Sequence, residues 1–358
     1  MRKLILVTNE LSGGGAERVM SVIANDFVKR GIEVIFLVLK KTQGEYPLDP
    51  RIKIIYKEQN KSRDILGQIR FVRYVMKRNP GATVLSFFTH QNLYSILASI
   101  GLKNRVIVSE RNDPSHSING KWKKIIRNVL YSCSLCDGVV FQTYGAAKYF
   151  PKKIQMKSTI IANPLKEGLP EKYDGVRKNT IVSFGRFEPQ KNYEMLIRAF
   201  AEFVKMYSDY VLVLYGKGSQ QHTLMELADD LSISEKVIFA GFSKNVHKEI
   251  IDAGIFVLPS NYEGLSNSML EAMAIGLPVI CTDCPPGGAR MYIEHNKNGM
   301  LVPVGGTEEL TKALKYMAEN KQLAYRMGNE AYKVRYELDS KKICKQWESI
   351  LFPKEINQ

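Results

Sequence analysis

Short apolar runs alternate with amphipathic stretches along almost the whole chain. Leu4 to Thr8, Val34 to Leu39, Val84 to Phe88, Val106 to Ser109, Gly138 to Gln142 and Thr159 to Asn163 read as short buried strands. Between the first two, Val19, Val22, Ile23 and Phe27 recur at helical spacing, and Gly31 closes that helix. Strand, helix, strand in that order implies a parallel sheet, because parallel neighbours need a crossover. The pattern then restarts. Thr180 to Phe184, Val211 to Leu214, Val237 to Ala240, Gly254 to Leu258, Pro278 to Cys281 and Met300 to Val302 read as strands. Tyr193 to Phe203, the stretch from Asn267, Thr307 to Glu319, Leu323 to Tyr336 and Lys341 to Leu351 read as helices. For 358 residues this predicts two α/β domains, 1–173 and 174–340, each built on a parallel sheet.

Composition changes this picture little: 45% hydrophobic and 24% charged residues are ordinary for a globular protein. The start, MRKLILVTNE, has four consecutive apolar residues, too few for a signal segment. No run approaches the ~18 apolar residues of a membrane span. A cytoplasmic protein, or one peripheral on the inner face of a membrane, is expected. Cys133/Cys136 and Cys281/Cys284 form two C-x-x-C pairs, but 145 residues separate them. That is far beyond a zinc ribbon's spacing, so structural thiols and no metal are expected.

Charge changes it more. The net charge is +15, and residues 1–175 hold 29 Lys and Arg against 14 Asp and Glu, leaving 22 of each for the remainder. The whole excess lies in the first half, which points to an anionic partner there. Two basic stretches carry apolar faces. Lys61 to Arg78 has Ile65, Leu66, Ile69, Val72, Val75 and Met76 among Arg63, Arg70, Arg73, Lys77 and Arg78. Lys121 to Tyr131 repeats this with Trp122, Ile125, Ile126, Val129 and Leu130. They read either as ordinary surface helices or as a face that meets anionic lipid.

Candidate chemistry sits where strands run into helices, since open α/β sheets bind ligands outside the carboxyl ends of their strands. The stretch Pro259 to Pro278, PSNYEGLSNSMLEAMAIGLP, holds Glu263 on such a loop and Glu271 about a turn inside the next helix. Loop amides and a helix N-terminus favour anions. Carboxylates placed there therefore suit neutral hydroxyls, such as those of a sugar or a ribose. An N-capping cluster around Ser266 or Asn267 explains the same residues. Some 70 residues earlier, Arg186 and Lys191 share the loop after Thr180 to Phe184, where they can converge on one phosphate or stand solvated. The glycine-rich Gly13 to Arg18 lets backbone approach a ligand, or is a bare turn. It is neither a G-x-G-x-x-G fingerprint nor a P-loop.

G-G-G-A-E-R, then G-R-x-x-x-x-K-N at Gly185–Asn192, then G-x-G at Gly216–Gly218, then E-x7-E at Glu263–Glu271 follow one another over nearly the whole chain. In this order they resemble glycosyltransferase family 4, retaining nucleotide-sugar-dependent enzymes of the GT-B fold. The resemblance implies two Rossmann-like domains facing a cleft, with 341–358 packing back on the first. It implies that the donor is a UDP-sugar and that no cofactor or metal is needed. Gly14 and Gly15 would lie over the donor phosphates, with Arg186 and Lys191 on the diphosphate. Gly216 and Gly218 would approach the nucleotide, and Phe242 would lie near the base. Glu271 would bond the ribose. Glu263 and the backbone of Gly264, Leu265 and Ser266 would hold sugar hydroxyls and phosphate. Many family members place a His in the region of Glu110–Asn112. Here Arg111 stands within S-E-R-N-D-P, a variant that resembles enzymes extending bacterial surface and lipid-linked glycans. Either Arg111 or the nearby His90 is then the candidate for the donor sugar. The acceptor, a lipid-linked glycan or other oligosaccharide, would bind the basic first domain beside an anionic membrane surface. The sugar moved would be a hexose or N-acetylhexosamine. A GT-B epimerase or phosphorylase-like enzyme is the enzymatic alternative. A basic nucleic-acid-binding protein is the other, which no recognised motif supports.

Overall fold

The structure is a computed structural model, and it describes residues 2–57 and 64–353. Lys61 to Arg63 of the first basic stretch lie outside the described residues. The chain divides into two units, Met1–Pro164 with Ser340–Gln358, and Leu165–Asp339.

The first unit is a seven-stranded parallel sheet. Its strands are β1 (Lys3–Thr8), β2 (Glu33–Val38), β3 (Lys53–Tyr56), β4 (Thr83–Phe87), β5 (Val106–Ser109), β6 (Gly138–Phe141) and β7 (Ser158–Ile160). Their spatial order is β3-β2-β1-β4-β5-β6-β7, with Leu4 opposite Val34 on one side and Thr83 on the other. β1, β2 and β4 are buried almost throughout, as strands covered on both faces must be. β3 escaped the sequence pattern because it is a short edge strand whose Ile54 is exposed. The helix Ser340–Leu351 closes this unit. Trp347 is wholly buried against Phe87, with ring centroids 5.7 Å apart. Glu348 accepts from Arg2 at 2.7 Å and from Arg30 at 2.8 Å.

The second unit is a six-stranded parallel sheet of β8 (Lys178–Phe184), β9 (Val211–Tyr215), β10 (Val237–Gly241), β11 (Ala253–Leu258), β12 (Val279–Thr282) and β13 (Met300–Val302), in the order β10-β9-β8-β11-β12-β13. Helices Tyr193–Val204 and Thr307–Glu319 bury Leu196, Phe200, Phe203, Leu310 and Leu314 over one face.

Two expectations need correction. The boundary falls at Pro164/Leu165 rather than at 173/174. The segment before β8 belongs to the second unit because Arg335 ties it down, donating to the carbonyls of Leu169 and Pro170 at 2.9 and 2.8 Å. Leu323 to Tyr336 is not one helix but two, Lys321–Ala331 and Val334–Glu337. The polar residues Thr89 to Asn92 after β4 form the first turn of a helix, Thr89–Ala98. No helix of the described residues is long and apolar enough to cross a membrane.

Candidate functional site

In the second sheet the strand order reverses between β8 and β11. The carboxyl ends of those two strands frame the crevice where such sheets take ligands. β8 delivers Arg186 and Lys191, and β11 delivers Ser260 and Glu263. The two loops are stitched together. Asn261 N donates to Gln190 O at 2.8 Å, Gln190 Nε2 to Tyr262 O at 3.0 Å, and Asn192 Nδ2 to Asn261 Oδ1 at 3.0 Å. Asn192 has φ 48° and ψ 46°, a left-handed conformation that Asn tolerates, and its side chain caps the following helix at Met195 N.

This stitching puts the Lys191 ammonium on the Glu263 carboxylate, where it donates to Oε1. Ser260 Oγ donates to the same oxygen at 2.9 Å. Both charged side chains are mostly buried, at 13% and 12% exposure, which decides that water screens them little. A charge-assisted bond of this kind is worth about 1.5–3 kcal/mol. The carboxylate remains open to further donors, since an ionised carboxylate accepts about four hydrogen bonds. Arg186 is exposed and makes no ion pair among the described residues.

Glu271 lies on the helix Asn267–Ala274, capped by Ser266, whose Oγ accepts from Met269 N. Its Oε2 contacts His247 Nε2 at 2.7 Å, with both side chains buried. The His247 ring packs edge-on against Phe184 at the end of β8. Sequence reasoning missed His247. It stands on a four-residue helix, Val246–Glu249, with no repeat or motif spacing to mark it. The loop after β12 completes the wall. Glu263 N donates to Pro285 O at 2.9 Å, and a Cβ on Gly288 would sit 2.0 Å from Gly264 O. Burial holds the nearby Cys284 thiol up at about 12, and it pushes Cys281 up as well. All five cysteines are free thiols.

Gly216 and Gly218 have a packing reason of their own. A Cβ at Gly216 would meet Gly185 O at 1.9 Å, and one at Gly218 would meet Phe187 O at 2.3 Å. Only glycine lets these strand ends approach that closely. Phe242 is 69% exposed, while Gly264, Leu265 and Ser266 are buried.

The first unit is different at its strand ends. Gly14 caps the helix Gly15–Lys29, and its carbonyl accepts from Tyr46 at 3.0 Å. His90 is exposed on the first turn of its helix, its ring 6.5 Å from Tyr94. Arg111, a candidate for sugar contact, is instead a buried clamp. It donates to Asn163 Oδ1 and lies over the rings of Phe87 and Trp347 at 4.7 and 5.8 Å. Burial pushes its pKa down to about 9. Its guanidinium fastens the returning helix, which no local pattern in S-E-R-N-D-P foretells. Its neighbour Glu110 is buried too. It accepts from Thr89 Oγ1 at 2.9 Å and from Tyr131 at 2.5 Å, and Asn92 donates to the Tyr131 oxygen at 2.8 Å. Burial raises the Glu110 pKa despite these bonds.

The helix Lys121–Ser132, which carries Tyr131, is turned inside out. Arg127 and Tyr131 point inward, and Arg127 stacks over Phe150 at 4.5 Å. Trp122, Ile125, Ile126 and Val129 face out, 50–78% exposed, among Lys121, Lys123 and Lys124.

Known proteins match this arrangement. Residues 166–334 match the family described as glycosyl transferases group 1. An uncharacterized glycosyltransferase of Haemophilus influenzae is 27% identical across 98% of this chain and 100% of its own length. A Campylobacter jejuni protein is 28% identical across 96% of this chain and 98% of its own length. That relative is named as the N-acetylgalactosamine-N,N'-diacetylbacillosaminyl-diphospho-undecaprenol 4-alpha-N-acetylgalactosaminyltransferase. Among solved structures, HepE of Anabaena in complex with UDP superimposes with a TM-score of 0.83 at 18% identity, over 98% of this chain and 99% of its own. The fold class is therefore GT-B, two Rossmann-like parallel-sheet units, and the relatives support a GT-B glycosyltransferase, its family match lying on the unit that carries Lys191, Glu263 and Glu271.

Proposed function

We propose that this chain is a retaining glycosyltransferase that moves a hexose or N-acetylhexosamine from a UDP-sugar to a lipid-linked glycan in surface polysaccharide synthesis. The observation that carries the reading is the pairing of Lys191 with Glu263 at the reversal of strand order, beside Glu271 on the adjoining helix. A cation suited to a diphosphate and two carboxylates suited to hydroxyls occupy one crevice. Two full-length relatives named as undecaprenol-diphosphate-linked N-acetylgalactosaminyltransferases, and a neighbour solved with UDP-glucose, favour this donor and acceptor class.

In this reading the donor exchanges partners with the site. The diphosphate draws Lys191 away from Glu263 and adds the exposed Arg186, and a sugar hydroxyl takes up the released carboxylate. Glu271 accepts from the ribose hydroxyls, held in place by His247. As the glycosidic bond breaks, charge grows on the leaving phosphate, and Lys191 and Arg186 stabilise it there without a metal. No carboxylate is assigned the part of covalent nucleophile. Attack comes from the donor's leaving-group face, with that phosphate taking the acceptor's proton. Rate enhancement then rests on positioning and charge stabilisation. The acceptor belongs to the basic first unit. The outward face of Lys121–Ser132 seats on the anionic inner surface of the cytoplasmic membrane, where each Lys or Arg contributes about 1 kcal/mol.

UDP release from a panel of UDP-sugars, with and without an undecaprenyl-diphosphate glycan, tests the reading. Acceptor-dependent release that fails in Lys191→Ala and Glu271→Ala, both folded, supports it. Full activity in both variants, or UDP release indifferent to any acceptor, overturns it in favour of an epimerase-like enzyme.

A further inference from the structure

The second unit holds a cavity of about 560 Å³ at the opposite, amino-terminal ends of β8, β11 and β12. Small-molecule sites run from about 300 to 1,000 Å³. Its apolar walls include Ile255, Pro278, Met317 and Tyr325. Four cations line it, Arg177, Lys178, Lys321 and Arg326, and no carboxylate does.

Arg177 is the telling group. Nη1 donates to the carbonyls of Ile251 and Ala253, both at 3.0 Å, and Nη2 to Gly276 O at 2.7 Å. Its Nε is buried without a hydrogen-bond partner. All three acceptors are neutral. The nearest carboxylates are engaged elsewhere, Asp252 by Lys178 and Asp174 by Lys172, each at 2.8 Å. Burial accordingly lowers the Arg177 pKa. Asp252 and Asp174 favour its charge without bonding it, and a partly buried cation with no bonded carboxylate is costly. Arg326, on the rim, is exposed and makes no ion pair among the described residues. The cavity wall therefore carries an excess of positive charge that an acidic ligand would complement.

We propose that this cavity is a second ligand site, separate from the nucleotide-sugar crevice, for a small molecule with an apolar ring-sized body and one acidic group. The ring lies between Tyr325 and Pro278, and the acid reaches Arg326, with Arg177 adding its charge from behind the wall.

Anilinonaphthalene sulfonate has this shape and charge, and its fluorescence reports binding to the full chain. A saturable one-to-one component is expected. Arg326→Glu should weaken it by about tenfold or more, the scale of a lost charge-assisted bond. Ala324→Trp, which fills the cavity, should abolish it. Saturating UDP should not displace the probe. If Ala324→Trp fails to fold, Tyr325→Ala on the exposed side of the wall replaces it. Wild-type binding in Arg326→Glu and in the folded wall variant overturns the proposal, as does displacement by UDP.

Discussion

In the first unit β1 and β4 lie side by side where the strand order reverses, and in the second β8 and β11 do. The polar residues around the carboxyl ends of the two sheets are handled in opposite ways. In the first unit Glu110, Thr89, Tyr131 and Asn92 are buried and bonded to one another, and Arg111 clamps a helix. In the second, Lys191 and Glu263 keep some exposure, Arg186 is exposed, and the loops are held by backbone and Asn contacts. One topology thus supports two roles. Satisfied internally, strand-end polar groups become scaffold; left with spare donors and acceptors, they become a binding site. The first unit's exposed chemistry moves to the outside of Lys121–Ser132, where apolar side chains face out because Arg127 and Tyr131 face in.

The largest effect should come from the first unit's interior. Arg127→Ala removes a wholly buried cation whose charge favours the buried Glu110 carboxylate, and such losses cost about 3–5 kcal/mol. Urea unfolding should show that loss, with UDP affinity unchanged in the protein that remains folded. A stable variant would mean that the network is not scaffold. Next, Lys191→Ala should lower kcat/KM for transfer by about 10²–10³, the scale of one lost electrostatic stabiliser. Its stability should fall by about 1.5–3 kcal/mol, the one charge-assisted bond to Glu263, and a loss as large as that of Arg127→Ala would class Lys191 with the scaffold groups.

Smaller changes should follow on the donor side. Glu271→Gln should raise KM for the UDP-sugar about tenfold, one hydrogen bond to a charged group. His247→Asn should do the same more weakly with kcat nearly kept, because His247 acts through Glu271. A loss confined to kcat would contradict that positioning role. On the outer helix, Trp122→Glu should reduce flotation with anionic vesicles several-fold, while transfer to a short water-soluble acceptor persists. Equal flotation of variant and wild type would leave the apolar face without its membrane partner.

The smallest signal is a pH slope. Burial raises the folded-state pKa of Glu110 above its unfolded value, so the folded chain holds that proton to higher pH. Its contribution to stability is complete below the unfolded carboxylate range and is lost as pH rises through the folded value. Glu110→Gln should flatten this part of the stability profile. A steeper fall with pH in the variant would reverse the assignment.

Much of the fold was legible because apolar runs and helical periodicity are local. Most of the strands, and the helix that carries Glu271, follow from spacing alone. β3 was missed because an edge strand buries too little to show a pattern. The single helix read over Leu323 to Tyr336 breaks because Val334–Glu337 packs apart, with Arg335 on the incoming segment. Arg186, Lys191, Glu263 and Glu271 were legible as motif residues, and the fold brings Lys191 and Glu263 into contact. His247 was not, since its partner is 24 residues away and only the fold brings them together.

By itself the sequence determined two parallel-sheet units, their loops of cations and carboxylates, and a basic excess confined to the first half. Periodicity, loop chemistry and charge are properties of neighbours along the chain. The tertiary structure alone decided which polar residues are occupied and which stand ready. It turned Arg111 into a clamp, faced Trp122 outward, joined His247 to Glu271, and left Arg177 beside a cavity with its bonds on neutral carbonyls. Those outcomes depend on burial and on contacts between residues far apart in sequence, where desolvation fixes which charges must find partners.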